Sequence, residues 1–165
     1  MKPIWLLDID GVLNCGNRTA PTHLPYNYLE FQQRASSSGR QYNLIIAKEV
    51  VDFIDEMSDF FEIVWCTTWQ ADANIIGKRI GLKEFRWIDK SKIDSPYHWK
   101  RATFEKLQEA KHPILWTDDQ IREFYNYPAK VEFNNAKIIQ PYIFEGLAPR
   151  HLEQIREFRD SLSAW

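Results

Sequence analysis

The sequence predicts an α/β protein, a Rossmann-like three-layer sandwich with a mainly parallel central sheet. Short apolar runs alternate along the chain with stretches whose apolar residues recur at helical spacing. The runs are continuous rather than alternating in polarity, which is typical of parallel strands buried on both faces. Several of them end in polar residues. In open sheets of this class, ligands bind beyond the carboxyl ends of the strands.

The first predicted strand ends in a pair of acidic residues. Ile4 to Leu7 is an apolar run, and Asp8, Ile9, Asp10 and Gly11 follow it. Alternate side chains of an extended chain share a face, so we expect both carboxylates on one side and a sharp turn at Gly11. Two carboxylates this close repel each other unless a cation such as Mg²⁺ lies between them. A solvated acidic turn is the alternative interpretation.

A β-hairpin is predicted after the first loop. Residues 26–33 and 40–46 are rich in aromatic and β-branched side chains, and a Ser- and Gly-containing segment separates them. We expect this hairpin, about residues 26–46, to stand beside the end of the first strand. Its residues Tyr26, Tyr28 and Phe31 either stack on a substrate ring or pack the hairpin against the body of the protein.

The remaining elements alternate between helix and strand. Helical spacing predicts helices over 47–60, 71–80, 99–110, 120–127 and 149–162. Short apolar or β-favouring segments predict strands over 62–66, 86–88, 114–117 and 137–140. We expect a single domain over residues 1–165.

Further polar residues occupy predicted strand ends or helix starts. Thr67 and Thr68 follow the second strand of the sheet, and Asp118 and Asp119 follow a later one. These residues are suited to binding phosphate or a metal ion, but Thr67 or the Asp pair could instead cap a helix. Lys100 opens an amphipathic helix, a position where most lysines are solvated, and Lys90, Lys92 and Arg101 are competing cations nearby in the chain.

Four motifs in this order resemble the haloacid dehalogenase (HAD) superfamily of phosphohydrolases. The matching segments are Asp8-Ile9-Asp10-Gly11-Val12-Leu13, Ile63-Val64-Trp65-Cys66-Thr67, His98-Trp99-Lys100 and Ile114-Leu115-Trp116-Thr117-Asp118-Asp119. The resemblance spans essentially the whole chain. Thr67-Thr68-Trp69 and Trp116-Thr117-Asp118-Asp119 are most similar to the small HAD domains of Swiss-Army-knife RNA repair proteins.

The resemblance implies catalytic roles. Asp8 is expected to be the nucleophile that forms an aspartyl-phosphate, and Asp10 the general acid and base. Thr67 is expected to bind the phosphate. Lys100 is expected to supply fixed positive charge to Asp8 and to the transferring group.

The resemblance also implies a Mg²⁺ site and a phosphate site. The metal set comprises the Asp8 carboxylate, the Asp10 backbone carbonyl, Asp118 and Asp119. The phosphate-binding set comprises Gly11, Thr67, Thr68 and Lys100. The segments between motifs are too short for a cap domain, so an open site is expected. Such a site suits nucleic-acid ends, nucleotides or other phosphomonoesters.

Bulk properties narrow the function class. With a net charge of −2, the protein has no overall positive potential that would attract nucleic acid. Cys15 and Cys66 are interpreted as free thiols of a reducing compartment, and no apolar run approaches the length of a membrane span. We therefore expect a cytoplasmic protein without membrane association. A non-catalytic HAD-fold binding protein is the alternative to an enzyme. A receiver domain is disfavoured because its two acidic residues at the first strand should be adjacent, whereas Asp8 and Asp10 alternate and the adjacent pair Asp118-Asp119 comes late in the chain.

Overall fold

The computed structural model describes residues 1–125 and 135–163. Seven strands and five α-helices are formed within these ranges, together with a short 3₁₀ helix at Lys90–Lys92. In chain order they are β1 (Ile4–Leu7), β2 (Tyr28–Arg34), β3 (Gln41–Ala47), α1 (Lys48–Met57), β4 (Glu62–Trp65), α2 (Asp72–Ile80), β5 (Arg86–Trp87), α3 (Trp99–Glu109), β6 (Ile114–Thr117), α4 (Ile121–Phe124), β7 (Ala136–Ile139) and α5 (Pro149–Ser163).

A five-stranded sheet in the order β5-β4-β1-β6-β7 forms the centre of the fold, and all its pairings are parallel. The predicted α/β class is therefore confirmed, with helices flanking a parallel sheet. Strand β1 lies in the middle. The carboxyl ends of β4 and β6 therefore lie on either side of the carboxyl end of β1. The candidate residues that follow these three strands lie at this edge of the sheet.

Side chains of β1 alternate between two separate cores. Trp5 and Leu7 belong to the core that includes α1 and α5, whereas Leu6 packs in the other core with Phe104 of α3 and Trp116 of β6. Each face of the sheet is thus covered by helices. This double burial explains why the strand sequences are continuously apolar.

The hairpin of β2 and β3 pairs in antiparallel register from Tyr28 opposite Ala47 to Arg34 opposite Gln41. Three aromatic side chains at the hairpin pack inward, whereas Tyr42 of β3 is exposed. Tyr26, Tyr28 and Phe31 contact the larger core, and the Arg79 guanidinium of α2 lies 4.3 Å from the centre of the Phe31 ring. These three residues therefore fix the hairpin in place, which agrees with the packing interpretation.

Helix α2 anchors the turn of the hairpin through polar contacts. Both Asp72 carboxylate oxygens accept hydrogen bonds from Ser36, one from its backbone N–H and one from its hydroxyl, each at 2.7 Å. Arg79 also donates to the Gln32 carbonyl at 2.6 Å. The position of the hairpin relative to α2 is thus determined at both its turn and its β2 strand.

Element boundaries differ from the predicted ones by a few residues. Helix α1 ends at Met57 rather than at position 60, because Phe60 and Phe61 already form the turn that leads into β4. The helix predicted over 120–127 is formed only at Ile121–Phe124, and positions 126 and 127 lie outside the described residues.

The two cysteines are free and buried. Burial, with a smaller contribution from Glu145, raises the pKa of the Cys15 thiol to about 11. Burial likewise raises the pKa of the Cys66 thiol. Neither thiol therefore has the depressed pKa of a reactive nucleophile. Within the described part of the chain, no helix combines the length and the apolar character that crossing a membrane requires.

Candidate active site

Lys100 links two buried carboxylates at the carboxyl ends of β1 and β6. Its ammonium nitrogen Nζ donates to Asp8 Oδ2 at 2.9 Å and to Asp118 Oδ2 at 2.6 Å. The side chains of Lys100, Asp8 and Asp118 are 4%, 6% and 0% exposed. The strand register brings these carboxylates together, because Leu7 of β1 pairs with Thr117 of β6 and each Asp follows directly.

Helix α3 brings Lys100 to this position. His98 caps the helix, and its ring Nδ1 accepts a hydrogen bond from the Lys100 backbone N–H at 3.2 Å. The His98 ring also stacks on Phe124 of α4 with 4.1 Å between ring centres. The stacking on Phe124 connects the start of α3 to α4, which follows β6, and the lysine in the first turn reaches the strand ends.

The structure thus places Lys100, and not its competitors, beside Asp8. Lys90 and Lys92 are exposed. Arg101 pairs with Glu105 at 3.0 Å, and its guanidinium lies 3.8 Å from the centre of the Tyr97 ring.

Asp119 joins Asp8 and Asp118 in an acidic group. One carboxylate oxygen from each lies within 4.8 Å of the others. Gly11 makes room for Asp119: its φ is +74°, and a Cβ on Gly11 would lie 2.5 Å from Asp119 Cγ. A side chain at position 11 would therefore both strain the backbone and collide with this carboxylate.

The acidic group is short of positive charge. Burial, reinforced by the charge of Asp118 and opposed by Lys100, raises the pKa of Asp8 to about 8. Burial and then Asp8 raise the pKa of Asp119 to about 6, and burial raises that of Asp118. Burial alone would lower the pKa of Lys100, but Asp8 and Asp118 outweigh it and raise the pKa overall. Three carboxylates share one ammonium, so this oxygen-rich group fits a divalent cation.

The Asp10 side chain lies outside the acidic group. Its Oδ2 accepts a hydrogen bond from Trp69 Nε1 at 3.0 Å, and its Oδ1 accepts one from Asn14 Nδ2 at 2.9 Å. Asn14 in turn accepts from the Ile45 backbone N–H of β3 at 2.8 Å. The carboxylate is therefore oriented toward the hairpin side of the site. A metal contact through the Asp10 backbone carbonyl stays a prediction.

Thr67 and Thr68 have different environments just beyond β4. Thr67 is buried, and its hydroxyl accepts a hydrogen bond from the Trp69 backbone N–H at 3.3 Å. It does not cap α2, whose N-cap is Ala71 without a side-chain hydrogen bond. Thr68 is exposed and lines a cavity that Asp10 also lines. The Cys66 backbone N–H donates to the Leu7 carbonyl, so both threonines follow β4 beside the carboxyl end of β1.

Two contributors were not identifiable from their residue types. In the sequence Asn14 is typical of a loop, and nothing but its place just after Gly11 indicates a role in the site. In the structure a tight turn brings it back toward Asp10, and the Gly11 N–H donates to the Asn14 carbonyl at 2.8 Å. His98 is an uncommon helix cap. Trp69 is buried, and its indole N–H donates to the Asp10 carboxylate.

Comparisons with protein-family models and with curated protein sequences gave no match. The HAD assignment therefore stays an interpretation of the four sequence motifs. The geometry of Asp8, Lys100, Asp118 and Asp119 provides the basis for the proposal that follows.

Proposed function

We propose that the protein is a Mg²⁺-dependent phosphatase of the HAD type that acts through an aspartyl-phosphate on Asp8. The observation that carries this proposal is the Lys100 ammonium shared between Asp8 and Asp118. Burying charged groups costs desolvation free energy, so an ion pair of this kind is a poor way to stabilise a fold. It is well suited to holding a carboxylate nucleophile and to balancing the charge of a transferring phosphoryl group.

Asp8 is held in a fixed orientation for attack on phosphorus. Its Oδ2 accepts from Lys100, and its Oδ1 accepts from the Ile9 backbone N–H at 2.8 Å. In the first step a carboxylate oxygen forms a bond to phosphorus while the bond to the leaving oxygen breaks. Asp10 gives its proton to that leaving oxygen. In the second step Asp10 removes a proton from water, which attacks the acyl phosphate and frees Asp8.

The metal ion would be held by Asp8, Asp118 and Asp119, with the Asp10 backbone carbonyl as a further expected ligand. When bound, Mg²⁺ supplies positive charge that offsets the repulsion between the carboxylates and the phosphate. Extra positive charge also keeps Asp8 ionised. This matters because burial raises the pKa of Asp8 to about 8, and only the ionised carboxylate is nucleophilic.

The phosphate oxygens would be bound by the Lys100 ammonium, the Thr67 hydroxyl and backbone N–H groups of the turn after β4. Gly11 stays an expected phosphate contact through its backbone, because the space where its Cβ would lie is filled by the Asp119 side chain. Thr68 is exposed beside Asp10 and is therefore placed to contact the substrate further out.

We further propose that the site is capless, with the hairpin as a flap. The hairpin is the main insertion after the first motif, and the segment from Gly81 to His98 contains only β5 and one turn of 3₁₀ helix. An open site accepts large phosphomonoesters, including nucleic-acid ends and nucleotides. The presence of every expected catalytic residue type favours an enzyme over a non-catalytic binding protein.

The proposal is tested by measuring phosphate release from an aryl phosphate and from 3′- and 5′-phosphorylated oligonucleotides. Reactions contain Mg²⁺ or EDTA and use the natural protein and Asp8→Asn. Turnover that requires Mg²⁺ and is lost in Asp8→Asn supports the proposal. Turnover that persists in Asp8→Asn contradicts it, as does the absence of turnover on all these substrates by a folded, Mg²⁺-binding protein.

A further inference from the structure

The side chain of Asn14 connects the carboxylate of Asp10 to the hairpin. Its Nδ2 donates to Asp10 Oδ1 at 2.9 Å, and its Oδ1 accepts from the Ile45 backbone N–H of β3 at 2.8 Å. A backbone N–H can only donate, so the amide oxygen must face Ile45 and the amide nitrogen must face Asp10. Asn14 is only 8% exposed, and its amide therefore has one fixed orientation between the two segments.

Backbone hydrogen bonds already hold the segment around Asn14. Its carbonyl accepts from the Gly11 N–H at 2.8 Å, which closes the turn after the first motif. The Cys15 N–H donates to the Ile45 carbonyl at 2.9 Å, which attaches the loop to β3. The bond from the amide nitrogen of Asn14 is therefore not needed to attach the loop, and the group that it holds is Asp10.

The second oxygen of Asp10 is held by a side chain that also contacts the hairpin. Trp69 Nε1 donates to Asp10 Oδ2 at 3.0 Å, and the Trp69 ring packs edge-on against Tyr42 of β3 with 5.5 Å between ring centres. Tyr42 and Ile45 belong to the same strand. Strand β3 therefore supports the partners of both Asp10 oxygens.

We propose that Asn14 is a positioning residue, which is supported by β3 and fixes the orientation of the Asp10 carboxylate for proton transfer. The inference rests on the proposed function. Asp10 must reach the leaving oxygen in the first step and a water molecule in the second. A carboxylate held at both oxygens presents its remaining lone pairs in fixed directions, which favours both transfers. Asparagine suits this position because its short side chain carries both a donor and an acceptor.

The first test compares an alkyl phosphate with an aryl phosphate, because the alkyl leaving group needs a proton from Asp10. We expect Asn14→Ala to lower kcat about tenfold on the alkyl phosphate and less on the aryl phosphate. KM should stay unchanged on both, because the proposed phosphate contacts are made by Lys100 and Thr67. An equal loss of kcat on the two substrates, an unchanged kcat on both, or a rise in KM alone would overturn the proposal.

Asn14→Asp tests the donor by itself. Aspartate keeps an acceptor for the Ile45 N–H but gives no donor to Asp10, so this variant serves if Asn14→Ala does not fold. Its control is Asn17→Asp, which adds the same charge in the same loop, where Asn17 donates to the Phe144 carbonyl at 2.7 Å. We expect the selective loss on the alkyl phosphate in Asn14→Asp, and natural activity in Asn17→Asp. Equal kinetics of the two variants would contradict the role of Asn14.

A spectroscopic measurement that needs no turnover separates this inference from the proposed phosphatase activity. The indole N–H resonance of Trp69 reports its bond to Asp10, and amide hydrogen exchange reports the bond of Ile45. In Asn14→Asp we expect the Trp69 resonance to shift, because Asp10 is held at one oxygen only, while the Ile45 amide stays protected.

The two proposals can therefore fail independently. If the natural protein releases no phosphate and the Trp69 resonance shifts in Asn14→Asp, the phosphatase proposal is refuted and the hold of Asn14 on Asp10 stands. If the natural protein shows Mg²⁺-dependent turnover and the Trp69 resonance does not shift, the role of Asn14 is refuted and the phosphatase proposal stands.

Discussion

The indole N–H of Trp69 donates to Asp10 Oδ2 across 3.0 Å, and this bond connects the turn after β4 to the loop after β1. Tyr42 of the hairpin packs edge-on against the same indole. Trp69 therefore couples the position of the proposed general acid to the position of the hairpin. We interpret it as a positioning residue, since it holds Asp10.

Replacing Trp69 by Phe keeps a ring but removes the hydrogen-bond donor. We expect Trp69→Phe to lower kcat/KM about tenfold on an alkyl phosphate, whose poor leaving group needs the proton from Asp10. The loss should be smaller on an aryl phosphate, which leaves without protonation. Trp87→Phe, on edge strand β5, is the matched control. An equal loss on both substrates would indicate a structural role only.

Gly11→Ala should damage the acidic group because its Cβ would collide with Asp119. We expect unfolding free energy to fall by about 1–3 kcal/mol and Mg²⁺ affinity to fall about tenfold. Gly39→Ala is the control, because Gly39 has a similar φ of +68° but nothing within 4 Å of an added Cβ. It should cost stability without affecting Mg²⁺ binding. Calorimetric titration with Mg²⁺ measures the difference, and equal affinities in the two variants would contradict the assignment of Asp119.

Asp119→Asn should make the metal-free protein more stable. Burial and Asp8 raise the pKa of Asp119 to about 6, so its charge opposes folding at pH 7. Removing that charge is expected to increase the unfolding free energy by about 1 kcal/mol, allowing for partial solvent exposure. The same variant should lose the increase in melting temperature that Mg²⁺ gives the natural protein. A full response of Asp119→Asn to Mg²⁺ would show that this carboxylate is not a ligand.

Stability should also decrease in mild acid through His151. Burial, with a smaller contribution from Arg150, lowers the pKa of His151 to about 4, and its Nδ1 accepts a hydrogen bond from the Ala148 backbone N–H. The unfolded chain takes up this proton near pH 6.5, so the contribution is complete above that pH and is lost as pH falls toward 4. We expect a loss of about 2 kcal/mol. Urea unfolding of His151→Asn, which keeps an acceptor, should show a shallower pH dependence.

The parallel sheet could be predicted from the sequence because the strands of the sheet are buried on both faces. Trp5 and Leu6 face opposite cores, so the run that contains them has no polar position. Runs of this type predict parallel strands, and the polar residues that follow them are brought to one edge. The positions of Asp8 and Asp118 beside each other follow from this rule, as the register of β1 and β6 shows.

Other parts of the site depend on contacts between distant segments. The sequence pattern places Asp8 and Asp10 close together, and the charge of Asp10 contributes to the raised pKa of Asp8, but the hydrogen bonds that hold the Asp10 carboxylate come from Trp69 and Asn14. Spacing along a strand does not predict a bond to an indole 59 residues away. The choice of Lys100 over its neighbours likewise depends on how α3 packs.

The most direct test of the central claim is to trap the acyl phosphate on Asp8. With an aryl phosphate, Asp10→Asn should still form this intermediate but hydrolyse it slowly, because the leaving group needs no proton whereas the attacking water needs a base. Mass spectrometry after acid quenching is expected to find one hydroxylamine-labile phosphoryl group on Asp8, and none in Asp8→Asn. Turnover by the natural protein without a phosphoryl group on Asp8 in the Asp10→Asn trap, or with the group on another residue, would contradict the mechanism.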